Sequence, residues 1–196
     1  PVCLGRPPAP VPVEPRWVAY GSSITQCRGA EGPSQTWPAL VARERRWDVT
    51  ALGFGGECHL DPIAATTIAL RPAELLSFCV GVNIHGHTTF SERTLLPAIV
   101  GFLDVARAGR SAPALLVGPI ISPPNEGREN AVGLTLSRVR EIVRDAADAA
   151  EIAYVDGREL LGPDDTALLA DGVHPTPGGY RHIARRMSAV LGSLLQ

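Results

Sequence analysis

Trp17-Val18-Ala19-Tyr20-Gly21-Ser22-Ser23-Ile24-Thr25 runs from an apolar strand straight into a serine-bearing turn. Four consecutive apolar residues suit a strand covered on both faces. The glycine that follows ends it and presents Ser23 where a helical segment begins. Working outward, apolar runs at 47–54, 75–80, 114–120 and 152–156 read as further strands, and helix-period stretches lie at 34–45, 61–70, 91–108, 130–150 and 177–195. Ser34 is placed to cap the first of these helices, Asp61-Pro62 forms a cap and first-turn pair, and Pro177 suits the start of the last. Strands alternating with helices require right-handed crossovers, so the expected fold is α/β, a three-layer α/β/α sandwich around a five-stranded parallel sheet. In such sheets chemistry sits at the carboxyl ends of the strands.

The composition narrows what that scaffold does. With 196 residues, 45% hydrophobic and 19% charged, one domain is expected over 17–196, preceded by an arm over 1–16. Six of the first 15 residues are proline, which excludes helix there and leaves room for a further N-terminal domain. The start at Pro1 reads as processed or trimmed, with no signal peptide in view. All 18 basic residues are arginine, so Schiff-base chemistry and a P-loop lysine are excluded. A net charge of -2 without a basic block argues against nucleic acid and anionic membrane surfaces. No apolar stretch is long enough to span a bilayer, so a soluble protein is expected, cytoplasmic or secreted. Cys3, Cys27, Cys58 and Cys79 lack zinc or redox spacing. Cys79 reads as a buried thiol, and whether Cys27 and Cys58 meet is left open.

Each remaining strand end carries a polar or glycine motif. Gly53-Phe54-Gly55-Gly56 frees backbone N–H groups to face a ligand, or merely relieves crowding. Gly81-Val82-Asn83 sets a neutral amide donor at the sheet edge, or a loop cap. Asp171-Gly172-Val173-His174-Pro175 places a carboxylate and an imidazole three residues apart, where a curled loop lets Asp171 hold one ring nitrogen while the other faces a serine.

Ser23, Gly56, Asn83 and His174, in that order, resemble the four blocks of the GDSL-like, or SGNH, hydrolase superfamily of esterases and lipases. Gly21 to Gln26 looks like a branch carrying GSSIT in place of GDSIT. Ser22 replaces the usual first-block Asp, and Ile84 replaces the Asp that often follows the block-three Asn; neither belongs to the triad. The resemblance implies a flavodoxin-like SGNH fold and an acyl-enzyme route. Ser23 would be the nucleophile, His174 the general base and Asp171 its orienting carboxylate, with an oxyanion hole from the Ser23 and Gly56 N–H groups and the Asn83 side chain. No cofactor and no metal is implied. The substrate expected is a small-molecule or carbohydrate ester with a short acyl group such as acetyl. The same triad also serves acyltransferases and thioesterases, and a non-catalytic flavodoxin-like binding module is disfavoured because no phosphate-binding glycine motif follows a strand. Ser22, His59, His85 and His87 are candidate substrate contacts. The H-x-H pair lacks a third metal ligand, so pocket lining is the preferred reading of His85 and His87. His182 is expected at the surface, Trp37 and Trp47 in packing, and Tyr180 as an anchor of the last helix. Arg28 and Arg181 are read as solvated.

Overall fold

A computed structural model describes residues 15–195. Its sheet has the strand order β2-β1-β3-β4-β5, formed by β1 (Arg16–Ser22), β2 (Asp48–Phe54), β3 (Leu75–Cys79), β4 (Ala114–Val117) and β5 (Ala153–Val155). Every pairing is parallel. The helices are α1 (Ser23–Gln26), α2 (Trp37–Arg45), α3 (Pro62–Ala69), α4 (Val82–Gly86), α5 (Glu92–Arg107), α6 (Leu136–Ala149), α7 (Gly157–Leu160) and α8 (Pro177–Ser193). The expected arm lies outside the described residues up to position 14, and Arg16 already pairs with Asp48 in the sheet.

Central β1 explains its own sequence. Val18 and Tyr20 point into a core shared with α3, α5 and α6, while Trp17 and Ala19 point into a second core with α2 and α8. All four are at most 2% exposed, so a period-two polar pattern has no solvent face to serve. The buried indoles find acceptors: Trp17 donates to Ser77 Oγ at 2.9 Å and Trp37 to the Ile24 carbonyl at 3.0 Å. Trp47 and Tyr180 are buried in the same core.

Several boundaries differ from expectation for local reasons. Thr36, not Ser34, caps α2 by accepting from the Ala39 N–H, and Pro33–Gln35 form a tighter 3-10 turn before it. Strand β4 ends at Val117, since Gly118-Pro119 follows and proline cannot donate to the ladder. Helix α6 begins at Leu136 rather than 130. The Asn130 side chain accepts from the Val132 and Leu134 N–H groups, Gly133 turns at φ +77°, and Thr135 then caps the helix. Asp61 holds the cap position of α3 through its backbone carbonyl, which accepts from Ala64 and Ala65, and its side chain makes no cap bond.

Cys27, Cys58 and Cys79 are free thiols. Cys27 belongs to the second core and Cys58 to the first, so the sheet separates them. Burial pushes each of the three thiols up to about 12. Cys79 is only partly buried by area. Among the described residues no helix is long and apolar enough to cross a membrane.

Candidate active site

The strand order reverses between β1 and β3, and a crevice beyond the carboxyl ends at such a point is where open parallel sheets receive ligands. Ser23 follows β1 and Asn83 follows β3, and together with Gly56, Asp171 and His174 they line a cleft of about 730 Å³ at that place. The turn into α1 is held by Ser22, whose Oγ accepts from the Ile24 N–H at 3.3 Å. Ser22 is 3% exposed and is not among the cleft-lining residues, so its expected role as a substrate contact is corrected: capping α1 turns it inward.

Three side chains form a continuous relay. Ser23 Oγ lies 2.9 Å from His174 Nε2, and His174 Nδ1 lies 2.7 Å from Asp171 Oδ2. The other carboxylate oxygen, Oδ1, accepts from the backbone N–H groups of Val173 at 3.0 Å and His174 at 2.7 Å. Asp171 therefore curls the loop as well as meeting the ring, and Gly172 makes this possible at φ +81°. The donated His174 backbone N–H, then the His174 ring, hold the Asp171 carboxyl down at about 2. With Nδ1–H donating to the carboxylate, Nε2 is left to accept the Ser23 hydroxyl proton.

The glycine motif divides into two jobs. A Cβ on Gly53 would overlap the Gln26 backbone of α1, so Gly53 makes room for the turn that carries Ser23, whereas one on Gly55 would meet only the movable end of the Gln26 side chain. A Cβ on Gly56 would meet nothing within 4 Å, and the residue turns at φ +81°. Its carbonyl accepts from His59 Nε2–H at 3.0 Å, and the Thr89 hydroxyl donates to His59 Nδ1 at 2.8 Å. Asn83 Oδ1 accepts from the Cys58 N–H at 3.3 Å, which leaves the Asn83 amide N–H groups as the free donors of that side chain. His59 thus stands behind the Gly56 loop rather than among the cleft-lining residues, with its ring 5.2 Å from that of His87. His85 and His87 both line the cleft, although His85 is 5% exposed and its Nε2 donates to the Arg128 carbonyl at 3.0 Å. Arg28 also lines the cleft, Arg181 pairs with Glu31, and His182 is half-buried, 3.4 Å from Asp165. Among the described residues no group of three or more His, Cys, Asp or Glu side chains gathers to hold a metal.

Sequence reasoning missed the support of the Asp171–His174 loop. Ser122 Oγ donates to the Gly172 carbonyl at 2.9 Å, and the Ser122 N–H donates to Glu126 Oε1 at 3.0 Å. Arg140, 3% exposed, grips Glu126 with two bonds of 3.0 and 2.9 Å and reaches the Pro119 carbonyl at 2.9 Å. Burial opposes a charged Glu126, yet Arg140 and the Ser122 N–H outweigh it and hold the carboxyl below its ordinary range. No periodicity or spacing in the sequence signals these partners.

The comparisons extend over the same region. A salicylyl-acyltransferase, SsfX3, from a tetracycline biosynthetic pathway superposes with a TM-score of 0.84 at 29% identity, covering 94% of this chain and 57% of that one. A candidate GDSL-like lipase from Bacteroides ovatus superposes at 0.79 with 19% identity, covering 94% and 54%. A carbohydrate acetylesterase family member from Sinorhizobium meliloti shares the fold at 0.65 and 19%, covering 92% and 98%. The chain spans little more than half the length of the first two. No curated protein matches by sequence. The family model of the GDSL-like Lipase/Acylhydrolase family matches residues 19–182. A match that begins inside β1 and ends inside α8 takes in part of β1, the other four strands and every block of the cleft, and the chain belongs to the GDSL-like lipase/acylhydrolase family.

Proposed function

We propose that this chain is a serine esterase that hydrolyses a carboxylic ester through an acyl-enzyme. The observation that carries the reading is the unbroken relay from Ser23 Oγ through His174 to Asp171, at 2.9 and 2.7 Å, in a cleft open to ligand. Ser23 Oγ attacks the ester carbonyl carbon while His174 Nε2 takes its proton. Oxyanion charge is met by the Ser23 and Gly56 backbone N–H groups and the Asn83 amide. Collapse breaks the bond to the alcohol oxygen, which receives the proton from His174. Water then attacks the acyl-Ser23 ester with His174 again as base, releasing the carboxylate and restoring the serine. The chain supplies nucleophile, base and oxyanion donors, so the route needs neither metal nor cofactor.

The likeness to a salicylyl-acyltransferase favours a second reading, in which an alcohol replaces water in the last step. The two are separated by one experiment. With p-nitrophenyl acetate, a burst of one p-nitrophenol per chain and an acetyl mass gain on the Ser23 peptide are expected. An added alcohol that accelerates turnover and recovers the acetyl group as a new ester selects the transferase, and steady turnover indifferent to the alcohol selects the hydrolase. Absence of both burst and label would overturn the acyl-enzyme.

Asn83→Ala removes one oxyanion donor, and kcat is expected to fall about 10²- to 10³-fold, equivalent to roughly 3–4 kcal/mol, with KM little changed. An effect confined to KM would remove Asn83 from the oxyanion hole.

A further inference from the structure

The loop that carries His174 is pliable by its own sequence. Its stem is closed where the Ala170 N–H donates to the His174 carbonyl at 2.8 Å, but its tip turns through Gly172 at φ +81°, and glycine adopts other conformations as readily. Asp171 Oδ1 holds the Val173 N–H, one end of the planar peptide unit between Gly172 and Val173. The other end of that plane is the Gly172 carbonyl, which accepts from Ser122 Oγ. Among the described residues this is the one hydrogen bond that ties 171–173 to a part of the chain outside its own loop. One plane is thus held from both ends.

Ser122 has no other use for its hydroxyl proton. The residue is 1% exposed, and its Oγ accepts from Asn125 Nδ2 at 2.9 Å, which directs the single O–H at Gly172. Its carbonyl accepts from the Asn125 and Glu126 N–H groups at 2.8 and 3.1 Å, and its N–H goes to Glu126 Oε1. Pro123 and Pro124 follow with φ fixed by their rings, and Pro124 lies so close to Gly172 that a Cβ there would stand 3.2 Å from it. Glu126 is immobile in its turn, because its Oε2 accepts from Ser137 Oγ at 3.1 Å as well as from Arg140. Ser137 and Arg140 stand on α6, on the sheet face opposite α8, into which the His174 loop leads. The anchor therefore comes from the other side of the sheet.

Resting on the acyl-enzyme reading above, we propose that Ser122 is a positioning residue for the reaction base: fixed by Glu126 and Arg140, it clamps the Gly172–Val173 peptide and keeps His174 aimed at Ser23. It touches no reacting atom and acts through Asp171 and His174. Misplacing a catalytic group by about 1 Å costs on the order of 10²-fold, so loss of the clamp acts on kcat rather than on binding.

The test uses the whole chain and p-nitrophenyl acetate. Ser122→Ala is expected to lower kcat about 10- to 100-fold with KM changed less than about threefold. Glu126→Gln, which weakens the grip of Arg140, is expected to move kcat the same way and carries the test if Ser122→Ala does not fold. Repeating Ser122→Ala in an Asp171→Asn background separates positioning from a general loss of structure. A residue that acts through the dyad should cost less than about threefold there, and a penalty as large as in wild type would overturn the proposal. So would an unchanged kcat in folded Ser122→Ala. Histidine ring-nitrogen chemical shifts at alkaline pH give a readout free of turnover. Wild-type His174 should carry its proton on Nδ1, and Ser122→Ala should gain the Nε2–H form; a spectrum identical to wild type overturns the clamp. Failure of the acyl-enzyme reading shows separately, as a wild-type chain with neither burst nor label on Ser23, and the ring-nitrogen shifts still decide the role of Ser122.

Discussion

Ser23→Ala is expected to lower kcat for p-nitrophenyl acetate by at least about 10⁴-fold while the thermal unfolding midpoint stays near that of wild type. On the proposed acyl-enzyme route Ser23 Oγ is the nucleophile, and removal of such a nucleophile costs on the order of 10⁶-fold where all other groups remain. Stability should survive because the cap of α1 is the neighbouring Ser22, whose bond to the Ile24 N–H is untouched. The Ser23 side chain gives up one bond, to His174 Nε2, at a half-buried position beside open cleft. Steady-state hydrolysis and a circular dichroism melt on the same preparation check both halves. Turnover within tenfold of wild type would remove Ser23 from the mechanism.

Asp171→Asn is expected to cost about 10³- to 10⁴-fold in kcat. The amide can keep an oxygen toward the Val173 and His174 N–H groups, so the loop retains its curl. What changes is the partner of His174 Nδ1: an amide N–H there forces that nitrogen to accept, which places the ring proton on Nε2 and aims a donor at Ser23 where a base is needed. A loss below about tenfold would show that the carboxylate does not set the tautomer. The pH behaviour follows in sign. The folded-state carboxyl, at about 2, lies below its ordinary value, so the stabilisation it brings to the loop is present above that ordinary value and is lost as pH falls toward about 2. Asp171 therefore stays charged throughout the range in which esterase assays are run, and an acid limb in the activity profile above about pH 4 does not belong to it. An Asp171→Asn profile that lacks the wild-type acid limb in that range would contradict this.

Much of this molecule was legible along the chain because its signals are local. The apolar run of β1 is buried on both sides of a sheet, the alternation of strand and helix permits few topologies, and Asp171 and His174 are close enough for one loop to join them. Helix starts were the weaker part: Thr36 rather than Ser34 caps α2, and α6 begins at Leu136, capped by Thr135, rather than at 130. Which of several polar residues faces the cleft was a tertiary matter. Ser22 and Ser23 are adjacent and chemically identical, yet one is spent on capping and the other reaches His174, a partner 151 positions away. Ser122 and Gly172 meet across 50 positions, and His59 and Thr89 across 30. Pairs that distant leave no periodic trace, since folding brings them together through the packing of whole elements rather than through the conformational preferences of the residues between them.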